Sequence, residues 1–219
     1  MPPALYLYLH GFASSPSSSK ATWLAQRLAE RGIAMHVPDL NQPDFSTLTI
    51  TRMLEQVDAW LDTRPDGPVV LIGSSLGGFV AVNTALRRRD RIAQLVLLAP
   101  ALAFGHAPFS GAAPEADRLE QWKASGQLMV FHYAYGRMMP LRYALYEDAL
   151  RYDVAGADLR IPALVFQGRF DTVVNPAGVE AWCAARPNVR LRLLDDDHQL
   201  AGSLETIWQG MEGFLTDGE

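Results

Sequence analysis

Residues 73–77 read Gly-Ser-Ser-Leu-Gly, a G-x-S-x-G pattern that could present a nucleophilic serine. A short β-branched apolar run, Pro68–Ile72, precedes it, and helix-compatible residues follow to Ala85. A serine on a sharp turn from strand to helix holds its hydroxyl above the sheet edge, and flanking glycines avoid a Cβ clash there. Since the two glycines are centred on Ser75, that residue is the predicted nucleophile rather than Ser74. A turn without catalytic significance is the alternative.

A serine hydroxyl needs a base to accept its proton, and this is usually a histidine oriented by a carboxylate. The candidates are His10, His36, His106, His132 and His198. Sites in parallel sheets form at the carboxyl ends of strands, and His198 lies just after the sixth predicted strand. His36 falls inside a strand, whereas His106 and His132 fall in an insertion. His198 is therefore the predicted base, with a solvated loop histidine as the alternative.

Asp171 is the predicted carboxylate partner, because it follows the fifth predicted strand in the segment GRFDTVV. It would lie one strand away from His198, on the same edge of the sheet. The three acids 195–197 compete for this role, but sequence neighbours rarely reach the far ring nitrogen and such a run is typical of a solvated turn. A metal site there lacks an obvious second histidine or cysteine ligand. A turn or helix-capping role is the alternative for Asp171.

The chain order Ser75, Asp171, His198 is the order of the α/β-hydrolase triad. The corresponding oxyanion hole would combine the backbone N–H groups of Leu76 and of Phe12, which lies in the turn after the first strand. The start of the helix after Ser75 would add its positive dipole end. His10 is expected to support the first turn by hydrogen bonding, in a structural or an accessory role.

Alternating strands and helices must position these residues. The predicted strands are Leu5–Leu9, Ile33–Val37, Pro68–Ile72, Gln94–Ala99, Ile161–Gln167 and Val189–Leu194. The predicted helices are Lys20–Arg31, Ser46–Thr63, Gly78–Ala85, Pro176–Ala185 and Leu200–Phe214. This alternation predicts a single α/β domain over residues 1–219, with a mostly parallel sheet of about six strands and helices on both faces.

Residues 102–155 interrupt the alternation and show no buried-strand pattern. Helices are predicted near Glu115–Ser125 and Leu141–Leu150, so the segment is interpreted as a small helical cap. It holds nine of the 21 aromatic residues: Phe104, Phe109, Trp122, Phe131, Tyr133, Tyr135, Tyr143, Tyr146 and Tyr152. Such a lining would favour apolar or aromatic acyl groups. Alternatively, these side chains only pack the insertion onto the domain.

Composition argues against nucleic-acid binding, secretion and membrane insertion. A net charge of −5 over 219 residues argues against a nucleic-acid partner. The basic run Arg87–Arg89 is expected to be a solvated helix end. Cys183 is the only cysteine, the start of the chain lacks the basic region of a signal peptide, and no apolar run approaches membrane-spanning length. A cytoplasmic protein is therefore expected, with its oligomeric state open.

These residues together resemble the α/β-hydrolase superfamily, and the opening LYLYLHGFASSPSSSKA resembles short bacterial esterases of the YqiA type. The resemblance implies Ser75 as nucleophile, Asp171 as acid and His198 as base, in a serine esterase acting on esters or thioesters without a metal or organic cofactor. Acyl transfer, peptide hydrolysis and carbon–carbon cleavage can use the same triad. A non-catalytic ligand-binding member of the fold is a further alternative. A haloalkane dehalogenase is disfavoured, because it would need aspartate at position 75.

Overall fold

A computed structural model of the chain describes residues 5–64, 66–106 and 116–216. The strands are β1 (Leu5–Leu9), β2 (Met35–His36), β3 (Val69–Ser74), β4 (Ile92–Leu98), β5 (Gln127–His132), β6 (Arg137–Arg142), β7 (Ala163–Gly168) and β8 (Val189–Leu194). The α-helices are α1 (Ser19–Ala29), α2 (Ile50–Asp62), α3 (Leu76–Arg87), α4 (Ala116–Ser125), α5 (Ala144–Ala149), α6 (Pro176–Ala184) and α7 (Leu204–Thr216). Two 3₁₀ turns cover Phe45–Thr47 and Ala201–Ser203.

Six strands form one parallel sheet in the order β2-β1-β3-β4-β7-β8. The central strand β3 is buried along its whole length, as its continuous apolar sequence predicts. All six strands run in the same direction, so their carboxyl ends meet at one edge. Ser75, Asp171 and His198 follow β3, β7 and β8 at that edge. The predicted α/β architecture is confirmed.

Alternation of side chains along the strands divides the core between the two faces of the sheet. Val69 and Leu71 of β3 pack with α2, α3 and α6 on one face. Val70 and Ile72 pack with α1 and α7 on the other face. Successive side chains of a strand point to opposite sides, so a sheet covered on both faces needs apolar residues at every position. The predicted helices on both faces are confirmed.

Several predicted boundaries differ from the structure, and in α2 the cause is side-chain capping. β2 is paired over only two residues rather than over Ile33–Val37. The predicted helix Ser46–Thr63 is divided: Asp44 caps a 3₁₀ turn, and Thr49 accepts the N–H of Arg52 at the start of α2. At the other end of the chain, a 3₁₀ turn precedes α7, which begins at Leu204 rather than at Leu200.

The insertion contains an antiparallel hairpin that the sequence pattern did not predict. Strands β5 and β6 pair from Gln127 with Arg142 to His132 with Arg137, and Gly136 has a φ of 62° in the connecting turn. Apolar residues occupy both faces of β5 and β6, which hides the alternation expected of a surface strand. The segment Leu141–Leu150, predicted as helical, therefore begins in β6 and contains only the short α5. Glu115 and Phe109 lie outside the described residues.

The aromatic residues of the insertion have two different environments. Trp122 is buried and donates from Nε1 to the carbonyl of Leu141 at 3.0 Å. Phe104, Tyr143, Tyr146 and Tyr152 pack against the core beneath the insertion. By contrast, Phe131, Tyr133 and Tyr135 are exposed. Packing onto the domain therefore accounts for five of the nine aromatic side chains singled out from the sequence.

The basic run at the end of α3 is paired with acidic residues of α2. Arg87 and Arg88, at the end of α3, pair with Asp58 and Asp62 of α2 at 2.6 and 2.7 Å. Cys183 is buried in α6. No helix within residues 5–64, 66–106 and 116–216 is both long and apolar enough to cross a membrane.

Asp148 of α5 should contribute to stability, because it caps α2 from the insertion. Its carboxylate accepts from Thr51 N at 2.7 Å and from Thr51 Oγ1 at 2.6 Å. We expect Asp148→Ala to lower the free energy of unfolding by about 1–2 kcal/mol, the usual effect of losing a partly buried cap.

Urea denaturation followed by circular dichroism measures the Asp148→Ala effect. Asp158→Ala is the matched control, because Asp158 pairs only with Arg160 on the exposed surface. The control should change the unfolding free energy by less than ~0.5 kcal/mol. Equal unfolding free energies for the two variants would show that the Asp148 contact with α2 does not stabilise the fold.

Candidate active site

Ser75 occupies a strained turn between β3 and α3. Its backbone has φ 52° and ψ −117°, in the region that non-glycine residues rarely adopt. Ser75 N donates to Leu98 O at 2.9 Å, and Ser75 O accepts from Gly78 and Ala101 at 2.9 and 3.0 Å. These bonds fix a conformation that costs on the order of 1–3 kcal/mol, so the surrounding structure determines where the hydroxyl points.

Glycines around Ser75 permit a very close approach of neighbouring backbone. A Cβ on Gly77 would lie 2.0 Å from Leu9 O, and one on Gly73 would lie 2.5 Å from Gly77 O. A Cβ on Gly11 would lie 3.3 Å from Ser75 Cβ, so the turn after β1 lies beside the serine. The steric reason inferred from the G-x-S-x-G spacing is confirmed by these distances.

His198 connects the serine to the carboxylate. Its Nε2 lies 3.0 Å from Ser75 Oγ, and its Nδ1 lies 2.8 Å from Asp171 Oδ2. In the tautomer with the proton on Nδ1, the ring donates to Asp171 and accepts from the Ser75 hydroxyl. The His198 side chain is 13% exposed. The structure thus brings together, in one chain of hydrogen bonds, the three residues singled out from the sequence.

Asp171 is held by donors on both carboxylate oxygens. Oδ1 accepts the N–H groups of Val173 and Val174 at 2.8 Å each, and the side chain is fully buried. Burial by itself raises the pKa of Asp171. Hydrogen bonds from His198, from the Val174 N–H and from the Gln167 side chain outweigh burial, so this pKa lies below its ordinary value of 3.8. The carboxylate is therefore ionised at neutral pH.

Gln167, which the sequence analysis missed, positions the carboxylate. It lies fully buried near the end of β7, and its Nε2 donates to Asp171 Oδ2 at 2.9 Å and to Gly168 O at 3.1 Å. The signal that could have identified it is a polar amide in an otherwise apolar buried strand. Such a group is stable only when it is hydrogen-bonded.

The acidic run 195–197 forms the turn that carries His198. Asp197 Oδ1 accepts the N–H of Gln199 at 2.7 Å, Asp196 Oδ2 accepts from Ser203 Oγ at 2.8 Å, and Asp195 pairs with Arg169. The solvated turn expected for these acids is confirmed. Within the described parts of the chain, no group of three or more histidine, cysteine or acidic side chains is arranged to hold a metal ion.

Lys20 of α1 holds the residue after the histidine. Its Nζ donates to Gln199 O at 2.7 Å, next to Leu200, which has a φ of 53°. Burial lowers the pKa of Lys20, and the carboxylates of Asp197 and Asp196 oppose that shift. The first helix is thus attached to the loop that presents His198. Lys20 belongs to the opening motif LYLYLHGFASSPSSSKA, but this contact could not be read from the motif.

The turn after β1 is shaped by His10. The ring is buried, its Nδ1 lies 2.9 Å from Gly11 O, and its Nε2 accepts the N–H of Leu40 at 3.0 Å. Burial lowers the pKa of His10, which favours the neutral ring that these two bonds require. The expected support of this turn by hydrogen bonding is confirmed. Phe12 follows in the same turn, and Leu76 is the first residue of α3.

The other histidines lie in different environments. His36 stacks on Trp60 with ring centroids 5.2 Å apart, and His106 Nε2 lies 3.0 Å from Tyr152 O. His132 is buried in the insertion and stacks on Tyr135 at 4.0 Å. Their contacts agree with the choice of His198 over these three.

A protein-family model matches residues 5–215, almost the whole described chain. The description of that family is "Uncharacterised protein family (UPF0227)". The chain belongs to the UPF0227 family. This assignment agrees with the resemblance to YqiA-type esterases found in the sequence.

Two relatives are named as a lipase and a phospholipase. The chain is 40% identical over 107 residues to Lipase LipV of Mycobacterium tuberculosis, a match covering 46% of this chain and 39% of the relative. It is 31% identical over 112 residues to Phospholipase YtpA of Bacillus subtilis, covering 46% and 42%. These matches span about two fifths of each relative.

Comparison with solved structures shows the fold. The chain superimposes on the mouse alpha/beta hydrolase domain-containing protein 10 with a TM-score of 0.80 and 18% identity. The match covers 100% of this chain and 92% of the mouse chain. The UPF0227 chain therefore has the α/β-hydrolase fold.

Gln167→Met tests whether the buried amide positions Asp171. We expect kcat to fall about tenfold while KM changes by less than about twofold. A misoriented carboxylate reduces stabilisation of the transition state more than it reduces substrate binding. Gln94→Met is the matched control, since Gln94 is a half-buried sheet glutamine that donates to Phe214 O at 3.1 Å. Steady-state kinetics of ester hydrolysis measure both variants. An equal decrease in kcat for the two would assign Gln167 a purely structural role.

Asp171 should also make stability depend on pH. Its folded-state pKa lies below 3.8, so the ionised group stabilises the fold above that value, and this contribution is lost as pH falls through the folded-state pKa. We expect the difference in unfolding free energy between the parent and Asp171→Asn to shrink on acidification below about pH 4. Urea denaturation across pH measures it. A pH-independent difference would contradict this account.

Proposed function

We propose that this UPF0227 protein is a serine hydrolase of carboxylic esters, including thioesters. The observation that carries the proposal is the continuous chain of hydrogen bonds from Ser75 Oγ through His198 to Asp171, with distances of 3.0 and 2.8 Å. Nucleophile, base and orienting carboxylate lie within the reach that proton transfer requires.

Acylation would begin when Ser75 Oγ attacks the substrate carbonyl carbon and His198 Nε2 takes the hydroxyl proton. Asp171 would hold the ring in the required tautomer and stabilise the imidazolium formed. The carbonyl oxygen would become an oxyanion facing the N–H groups of Leu76 and Phe12 at the positive end of α3. Return of the proton from His198 to the leaving alcohol or thiol then yields the acyl-enzyme.

Deacylation would use water and the same side chains. His198 takes a proton from water, whose oxygen attacks the acyl carbon, and the second tetrahedral intermediate collapses to release the acid and the Ser75 hydroxyl. The ionised Asp171 favours this charge separation in both half-reactions. The cycle uses only protein groups and water.

The comparisons support an ester substrate with an apolar part. The names of LipV and YtpA denote hydrolysis of lipids and phospholipids by those proteins. In this chain, Phe12 packs against Phe45 with centroids 5.6 Å apart, and Phe170, beside Asp171, is 64% exposed. An acyl chain or aromatic acid bound at Ser75 would contact such groups. We therefore propose substrates with an apolar or aromatic acyl group.

The insertion, residues 102–155, would serve as a cap on this site. The N–H of Tyr133, in the hairpin turn, donates to Ala13 O at 3.0 Å. Ala13 directly follows Phe12, so the insertion reaches the predicted oxyanion turn. A cap in this position would limit the size of the acyl group and exclude water from the acyl-enzyme.

Labelling with a fluorophosphonate tests the nucleophile. We expect one adduct by intact mass, mapped to Ser75, and none in Ser75→Ala or His198→Ala. Ser74→Ala is the matched control and should retain the label. Ser75→Ala should lower kcat by about 10³-fold or more while leaving the circular dichroism spectrum unchanged, and Asp171→Asn should lose less activity than Ser75→Ala. Equal labelling or equal turnover of Ser75→Ala and the parent would overturn the mechanism.

A further inference from the structure

The hairpin β5–β6 exposes a cluster of large apolar side chains. They are Met129, Phe131, Tyr133, Tyr135 and Met138, with exposed fractions of 50%, 47%, 75%, 45% and 51%. We call this cluster the hairpin face. Among the described residues, only Leu150 and Phe170 are also large, apolar and exposed. Concentration of apolar surface in one place is typical of a contact surface rather than of scattered surface residues.

The exposure does not arise from a loosely packed hairpin. Leu128 and Leu141 face each other across the strands on the inward side, and Trp122 is hydrogen-bonded to Leu141 O. On the outward side Phe131 is paired with Met138, and the Phe131 and Tyr133 rings meet edge to face at 5.4 Å. The inward residues fix the hairpin, so the outward ones form a preordered surface.

The hairpin face adjoins the candidate active site. His132, the last residue of β5, packs its ring against Phe45 at 4.6 Å, and Phe45 in turn contacts Phe12. The Tyr133 N–H bonds directly to Ala13 O. The hairpin face is thus connected by direct contacts to the turn beside Ser75, and a ligand bound at this face would lie close to the candidate active site.

Two exposed arginines lie at the ends of β6. Residues 127–142 include Arg137 and Arg142 but no acidic residue, although the chain has 24 acids and a net charge of −5. Both arginines are exposed, and neither forms a salt bridge within the described part of the structure. Asp44, which caps the neighbouring 3₁₀ turn, interacts electrostatically with Arg142, so the positive charge beside the apolar cluster is carried mainly by Arg137.

We propose that the hairpin face docks on an anionic lipid–water interface. Methionine and phenylalanine would enter the boundary between acyl chains and headgroups, and tyrosine would remain at headgroup level, where an amphipathic ring is favoured. Arg137 and Arg142 would contact the anionic headgroups. Pairing of this face with a second copy is disfavoured, because a two-fold contact brings the arginines of both copies together.

Docking is a binding event and can be tested without turnover. The Ser75→Ala protein is mixed with vesicles of phosphatidylcholine alone or with added phosphatidylglycerol, and the bound fraction is measured by sedimentation. We expect binding to the anionic vesicles, with binding at least about tenfold weaker to neutral vesicles and at high salt, since the attraction of arginine to anionic headgroups needs their charge and is screened by salt.

Variants distinguish binding through the hairpin face from nonspecific adsorption of the protein to vesicles. In the Ser75→Ala background, Phe131→Ser with Tyr133→Ser, and separately Arg137→Gln with Arg142→Gln, should each weaken vesicle binding about tenfold or more. Leu150→Ser is the matched control, because Leu150 is 46% exposed in the insertion but lies outside the hairpin. Circular dichroism checks that each variant is folded.

Three outcomes would overturn docking. They are absence of binding to anionic vesicles, equal binding by the hairpin variants and Leu150→Ser, or a dimer in sedimentation velocity that Phe131→Ser with Tyr133→Ser dissociates. The last outcome would assign the hairpin face to a second copy of the chain. A failure of vesicle binding leaves the fluorophosphonate result unaffected, so docking and the proposed hydrolase chemistry are tested separately.

Discussion

The turn at Ser75 is the constraint on which the rest of the site depends. The chain passes from β3 into α3 at a φ of 52°, and it does so with the backbone of Gly77 against Leu9 O of the neighbouring strand. A side chain at position 77 would separate α3 from β1 and remove Ser75 from the turn containing Phe12. The strain is sustained by bonds to Leu98 and Ala101, which belong to β4 and the segment after it. One local conformation thereby determines how three adjacent chain segments meet.

A second close approach brings Asp171 and His198 to that serine. A Cβ on Gly168 would lie 2.5 Å from the carbonyl oxygens of Asp196 and Asp197, so the end of β7 lies directly against the loop after β8. Arg169 N donates to Leu194 O at the end of β8, and Phe170 N donates to Asp196 O in that loop. These contacts bring Asp171 within reach of His198, although 27 residues separate them. Glycine is required at position 168 because any side chain there would clash with the backbone of the loop after β8.

The three residues that the structure joins by hydrogen bonds were predictable as neighbours from the sequence. Ser75 stood out because its turn needs glycines at fixed spacing, and Asp171 and His198 because parallel strands bring their carboxyl ends to one edge. Gln167 was not assigned a role because it lies inside a buried apolar strand, and Lys20 was not because its acceptor, Gln199 O, is 179 residues away in sequence. The hairpin was missed since its outward face is as apolar as its inward face, so periodicity gave no signal.

That same apolar outward face separates the hairpin from an ordinary edge of a sheet. Surface strands usually alternate apolar and polar residues, and natural edges avoid exposed apolar groups because they promote association. The β5–β6 hairpin instead has apolar side chains on both sides, and its turn is hydrogen-bonded to Ala13, a residue with a φ of 52°. The position of the hairpin and the conformation of the turn beside Ser75 are therefore linked through this backbone bond and through the ring contacts of Phe45 with His132 and Phe12. Displacement of the hairpin would break these contacts, so the proposed docking at the hairpin face would act on the same turn that the proposed chemistry at Ser75 uses.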